Sequence, residues 1–152
     1  MYLVRHGDYF TNESQQNVLS EKGINEITQL KNFLMPLQIR VATFVHSGKT
    51  RAQQTALLLA PSLLCDDPPK ARQGLNPHDD VLAFANEMVD ETGDWFVVGH
   101  LPFLSKLVGQ LVAGNENKEI VYFHTGTMVC LELFDTTRWL IQWVWNPASL
   151  TS

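Results

Sequence analysis

The chain is poor in cysteine, carries no basic excess and has no long unbroken apolar run, and each shortage removes a class of function. Its two cysteines, Cys65 and Cys130, lie in apolar surroundings without metal-type spacing, which argues against a disulfide framework or a zinc site and for buried thiols in a reducing compartment. Eleven Lys and Arg against sixteen Asp and Glu give a formal net charge of -5. A general affinity for nucleic acid or for anionic membrane is therefore not expected, because both need basic surface in excess. Any anion has to be held by a local cluster.

The most apolar later stretch, 95–114, is broken by Gly99, His100, Pro102 and Lys106, unlike a membrane span of about 20 apolar residues. The opening Met-Tyr-Leu-Val lacks the basic flank and the length of a secretory signal. The expectation is a cytoplasmic protein with no membrane association. Five histidines invite a metal reading, yet none has the i, i+4 helical spacing or the close carboxylate partner of a typical site. No metal and no other cofactor is expected.

What the chain does have is a globular balance, 45% hydrophobic and 18% charged over 152 residues. A single domain of this size buries roughly 70% of the surface its unfolded chain exposes. Tyr2–Val4 is a short apolar run that stops at Arg5-His6-Gly7. After a polar loop, Ser20 is placed to cap a helix carrying Ile24, Ile27, Leu30, Leu34 and Leu37, with Pro36 disrupting it. Val41–His46 reads as a second strand, Ser47-Gly48-Lys49-Thr50 as a turn and cap, and Arg51–Leu59 as a helix.

The proline-rich 61–77 region reads as loop. Asp79 or Asp80 starts a third helix, and Trp95–Val98 is a third strand that ends in Gly99-His100. Pro102 suits the first turn of a helix that runs to about Gly114. Val121–His124, Met128–Phe134 and Trp139–Trp145 read as strands, the last pair joined by a turn at 135–137.

Alternating strands and helices predict an α/β fold: a three-layer sandwich whose mostly parallel central sheet is flanked by helices, with antiparallel strands near the C-terminus. In such sheets ligands collect at the carboxyl ends of strands. Three of the predicted strands end in Arg5-His6-Gly7, His46-Ser47-Gly48 and Gly99-His100. Side by side, they make a pocket with two arginines, Arg5 and Arg51, and two histidines, His6 and His100.

Guanidinium forks match phosphate oxygens and stay charged, and Arg51 opens a helix whose N–H groups favour an anion. A neutral imidazole can attack phosphorus and split one difficult substitution into two easier ones. On this reasoning His6 is unprotonated at rest and His100 protonated, as a third cationic donor. His46, His78 and His124 are left open between lining the pocket and structural or surface roles, and so is Lys49 near the pocket mouth.

These residues carry a resemblance. The chain is similar to the histidine phosphatase superfamily, the phosphoglycerate mutase-like group with an Arg-His-Gly motif, and within it to the SixA-type phosphohistidine phosphatases. The similarity runs through RHGD, LSEKG, SGKTRAQQTA, GLNPHDD, GHLPFLSKLV and FHTGTMVCLEL. It implies one histidine phosphatase domain over 1–152, with His6 as nucleophile, Arg5 and Arg51 as phosphate ligands and His100 as the second catalytic histidine.

Asn12 stands where the wider pattern has a phosphate-contacting asparagine, and Asp8 replaces that pattern's glutamate. Many relatives read Ser-Pro where this chain has Ser47-Gly48. No glutamate occupies an obvious place for a general acid, so Asp8, Asp79 and Asp80 are the candidate proton donors. The resemblance implies a partner protein that carries phosphohistidine, such as a histidine-containing phosphotransfer domain in phosphorelay or phosphotransfer signalling. Two alternatives stay open: a broad phosphomonoesterase for small molecules or for phosphoserine and phosphothreonine, and a non-catalytic phosphate-binding module.

Overall fold

A computed structural model describes residues 1–89 and 91–150. Its centre is a six-stranded sheet formed by β1 (Tyr2–Arg5), β4 (Thr43–His46), β5 (Lys70–Ala71), β6 (Trp95–Gly99), β7 (Met128–Phe134) and β8 (Arg138–Trp145). The strand order is β5-β4-β6-β1-β7-β8. Pairing is parallel from β5 through β1 and antiparallel from β1 to β7 and from β7 to β8. A separate hairpin pairs β2 (Tyr9–Thr11) with β3 (Asn17–Leu19).

The continuous apolar runs of the inner strands follow from burial on both faces. Successive side chains alternate between two cores. Leu3, Val45, Val97, Val129 and Leu131 face the core completed by Phe84 and Met88 of α3 (Val81–Val89) and by Leu104, Leu107 and Val108 of α4 (Phe103–Ala113). Val4, Phe44, Phe96, Val98 and Met128 face the opposite core, completed by Ile27, Leu30 and Leu34 of α1 (Glu21–Leu34) and by Ala52, Ala56 and Leu59 of α2 (Thr50–Leu59). Three layers result, as the sequence predicts.

The tryptophans serve this sheet. A bulge between Cys130 and Leu131 shifts the β7–β8 register, so Trp139 packs into the α3–α4 core while Trp145 packs into the other. Phe33 of α1 covers Trp143 and Trp145 at 5.6 and 5.8 Å between ring centroids.

Four expectations are corrected. The polar loop after β1 contains the β2–β3 hairpin; all three β2 residues are exposed, so no apolar alternation announces it. The helix read from Ser20 ends at Leu34, and Leu37, counted as its last apolar residue, lies in a 3₁₀ turn, Met35–Leu37, that carries Pro36. The chain at Val121–His124 is irregular, because its carbonyls serve other donors: Phe123 O takes the Arg5 guanidinium at 2.8 Å and His124 O takes the Thr127 N–H at 3.0 Å. A two-residue strand, β5, interrupts the 61–77 loop by pairing with Val45 and His46.

Candidate active site

Parallel register brings the three strand ends together. Arg5 pairs with Gly99, and His46 with Val98. His6, Ser47 and His100 therefore leave neighbouring strands at one edge of the sheet, β6 lying between β1 and β4. The His6 and His100 rings are 4.9 Å apart, centroid to centroid, and inclined at 53°.

His6 is oriented by its own neighbour. Nδ1 lies 2.8 Å from the carbonyl oxygen of Gly7, an acceptor only, so Nδ1 carries the proton and Nε2 presents its lone pair. Arg51 points Nε at that Nε2 from 3.4 Å. Burial above all holds the His6 pKa at about 4 against an ordinary 6.5; the Gly7 hydrogen bond opposes this, and the Arg51 and Arg5 charges reinforce it. At neutral pH His6 is a neutral nitrogen base beside two cations.

His100 corrects an expectation. Desolvation, joined by His6, Arg51, Lys49 and Arg5, lowers its pKa to about 3, so before substrate arrives it is neutral and not the resident cation that the sequence argument called for. Its Nε2 meets the Ser47 hydroxyl at 2.5 Å. His100 Nδ1 and Arg5 Nε are buried and have no hydrogen-bond partner among the described residues.

The supporting frame runs through backbone groups. Thr55, fully buried on α2, accepts the Gly7 N–H at 3.1 Å and donates to the Arg51 carbonyl at 2.8 Å. The loop after β1 and the helix that carries Arg51 are thereby joined by one hydroxyl. Ser20 caps α1 by accepting the Gly23 N–H at 3.0 Å and donates to the Asp8 carboxylate at 2.6 Å. A Cβ on Gly23 would lie 2.0 Å from the Asp8 carbonyl oxygen, so the helix can rest on the loop only without a side chain there. The Leu-Ser-Glu-Lys-Gly stretch thus has a mechanical meaning.

The other candidates are placed as follows. Asn12 lies in the β2–β3 turn, where Oδ1 accepts from the Ser14 and Gln16 N–H groups at 3.0 and 2.9 Å. Asp79 accepts from the Asn76 N–H, and Asp80 caps α3 by accepting from the Leu82 N–H, each at 2.9 Å. His46 is buried and accepts the Gly48 N–H at 3.0 Å, which closes the turn after β4. His78 is exposed, and His124 lines a groove beside Arg5 together with Tyr122, Lys22 and Glu26. Lys49 precedes α2 and contributes its charge to the lowering of the His100 pKa.

Two participants are absent from the sequence reading. Tyr9 sets its ring 5.4 Å from that of His6 and lies under the Arg51 guanidinium at 4.7 Å, a cation–π contact that steadies the arginine. Glu26 accepts from the Asp8 N–H and the Thr125 hydroxyl, each at 2.9 Å, tying the loop after β1 to the loop before β7. Only the i, i+3 spacing of Glu26 from Gly23 hints at such a role.

Two imidazoles, His6 and His100, and two guanidiniums, Arg5 and Arg51, gather where β1, β4 and β6 end, a set whose chemistry suits a bound phosphate. The chain belongs to the histidine phosphatase superfamily: the model of branch 1 of that superfamily matches residues 1–76. Among solved structures it is similar to the protein histidine phosphatase SixA complexed with tungstate, at 21% identity and a TM-score of 0.85 over 98% of this chain and 97% of that one. A SixA-type protein from Agrobacterium tumefaciens shares 17% identity with a TM-score of 0.75, covering 96% of each chain. Phosphoserine phosphatase from Entamoeba histolytica shares 13% with a TM-score of 0.67, covering 94% of each. At these identities the likeness establishes the common fold. No curated protein matches the sequence.

Proposed function

We propose that the chain is a phosphatase that transfers a phosphoryl group from phosphohistidine on a partner protein to His6 and then to water. The observation that carries this reading is the His6 ring itself, with Nδ1 committed to the Gly7 carbonyl at 2.8 Å and Nε2 left as the free base. Nε2 attacks phosphorus as the P–N bond of the substrate breaks, and water then displaces His6 from the phosphoenzyme. Arg5 and Arg51 hold the equatorial oxygens. The incoming anion counters the cationic field around His100 and raises its affinity for a proton.

The leaving group follows from proton supply. Asp79 and Asp80 are engaged in turn and cap hydrogen bonds, and Asp8 in a bond with Ser20. A positioned general acid contributes about 10²–10⁴-fold, a large loss for an alkoxide. An imidazole already protonated on its distal nitrogen departs without that help. Similarity to SixA along nearly all of both chains supports the same substrate class, and a phosphorelay or phosphotransfer protein in the cytoplasm fits it.

The likeness to phosphoserine phosphatase supports the second reading, a phosphomonoesterase. Turnover of a phosphohistidine protein is compared with turnover of phosphoserine, phosphothreonine and sugar phosphates. The proposal expects the phosphohistidine protein to be preferred in kcat/KM; an ester preferred by several decades replaces it with the second reading.

A further inference from the structure

Ser47 is half-buried at the carboxyl end of β4, and the reading above gives it no task. Gly48, at φ +91°, turns the chain directly after it and aims the serine across to the end of β6. There its Oγ meets His100 Nε2 at 2.5 Å and accepts the Lys49 N–H at 3.3 Å. The question is which of the two groups, hydroxyl or imidazole, gives the proton to their bond.

One observation decides it. His100 Nδ1 is buried without a partner among the described residues. A buried N–H without an acceptor is the rarer and costlier orphan, so Nδ1 is the bare nitrogen and Nε2 carries the hydrogen. Ser47 Oγ then receives two donors, Nε2–H and the Lys49 N–H. With its acceptor capacity filled, the hydroxyl has only its own proton left to give, and no acceptor for it is found among the described residues.

The same hydroxyl lies against a ring whose centroid is 4.9 Å from that of the nucleophile. We propose that Ser47 is a further catalytic residue, whose hydroxyl, oriented by the Nε2–H of His100, donates a hydrogen bond to an equatorial oxygen of the phosphoryl group. This rests on the reading of the site as one that takes a phosphoryl group. It also gives the Ser-Gly sequence a purpose: glycine after Ser47 allows the turn that swings the hydroxyl toward β6.

Two measurements test it, neither of which needs turnover. In wild-type protein with ¹⁵N-labelled histidine, the His100 signals at neutral pH should report protonated Nε2 and bare Nδ1. Calorimetric titration with inorganic phosphate should show binding weakened about tenfold in Ser47→Ala, the weight of one hydrogen bond to an anion, and restored in Ser47→Thr. With turnover, Ser47→Ala should lose about a hundredfold in kcat, as enzymes do on losing one donor to a transition-state oxyanion. A bare Nε2 in the wild type, or a Ser47→Ala protein that binds phosphate and turns over like the wild type, overturns the proposal. If phosphate binding depends on Ser47 but no phosphoenzyme ever forms, the reading of the site as a His6 phosphatase fails and with it the catalytic role of Ser47, while its hydrogen bond to the bound phosphate stands.

Discussion

His6 donates from Nδ1 to the carbonyl of Gly7, its immediate neighbour, across 2.8 Å. That one-residue contact leaves Nε2 as the unprotonated nitrogen and ties the ring to the backbone of the loop. Elements distant in sequence then act on a ring that is already oriented.

Charge alone does not reproduce Arg51. Its planar guanidinium lies over Tyr9 while directing Nε to His6, and the compact point charge of a lysine ammonium does not supply that fixed fork geometry. Arg51→Lys should lose about 10²–10³-fold in kcat, comparable with removing one transition-state donor. Steady-state kinetics with full-length protein check this. Activity within threefold of wild type would mean that the arginine serves only as a general positive charge.

The two imidazoles make stability fall on acidification. In the unfolded chain they take up protons near pH 6.5, whereas in the folded protein they stay neutral to about 4 for His6 and about 3 for His100. Between those limits the unfolded state binds more protons, so folding stability rises with pH. From pH 7 to 5.5, before carboxylates titrate, urea unfolding should show a loss on the order of 2 kcal/mol from the pair. His100→Gln should remove part of that slope. The acid limb of kcat/KM should likewise fall near pH 4 and not near 6.5.

The Thr55 hydroxyl joins the loop after β1 to α2. Thr55→Val keeps the shape and strands the Gly7 N–H, at a cost of about 1–3 kcal/mol. Because Gly7 also accepts from His6, kcat should fall together with stability. Thermal melts and single-turnover rates on the same samples separate the two effects; a loss of stability with an unchanged rate shows a purely structural bond.

Close packing of α1 on the loop gives a sharper case. Gly23→Ala places a methyl 2.0 Å from the Asp8 carbonyl oxygen, which is backbone and cannot rotate away. The loop or helix must shift, at about 1–3 kcal/mol or more. Denaturant unfolding should register the loss, and the phosphoryl-transfer rate should fall with it.

Much of the architecture is legible before folding. Leu3-Val4, Phe44-Val45 and Phe96-Val97-Val98 are apolar on both faces because both faces are covered, and their shared habit of ending in Arg, His or Gly marks the strand edge where the site lies. Ser20 is visible as a cap. The β2–β3 hairpin is not, since its exposed residues have no alternation to betray it. Val121–His124 looks like a strand because its composition is strand-like, but its carbonyls are taken by Arg5 and Thr127. The neutral state of His100 is equally hidden: it arises from burial and from cations that meet only after folding, and Ser47 reaches it across 53 positions of chain.

On the proposed function, His6 becomes covalently phosphorylated during turnover. Rapid acid- and alkali-quenched mixing with a ³²P-phosphohistidine protein tests it most directly. The expected result is a transient, acid-labile and alkali-stable label on the wild type, mapped to His6 and absent from His6→Ala. Turnover with no label on His6 at any quench time, or a label that persists in His6→Ala, contradicts it.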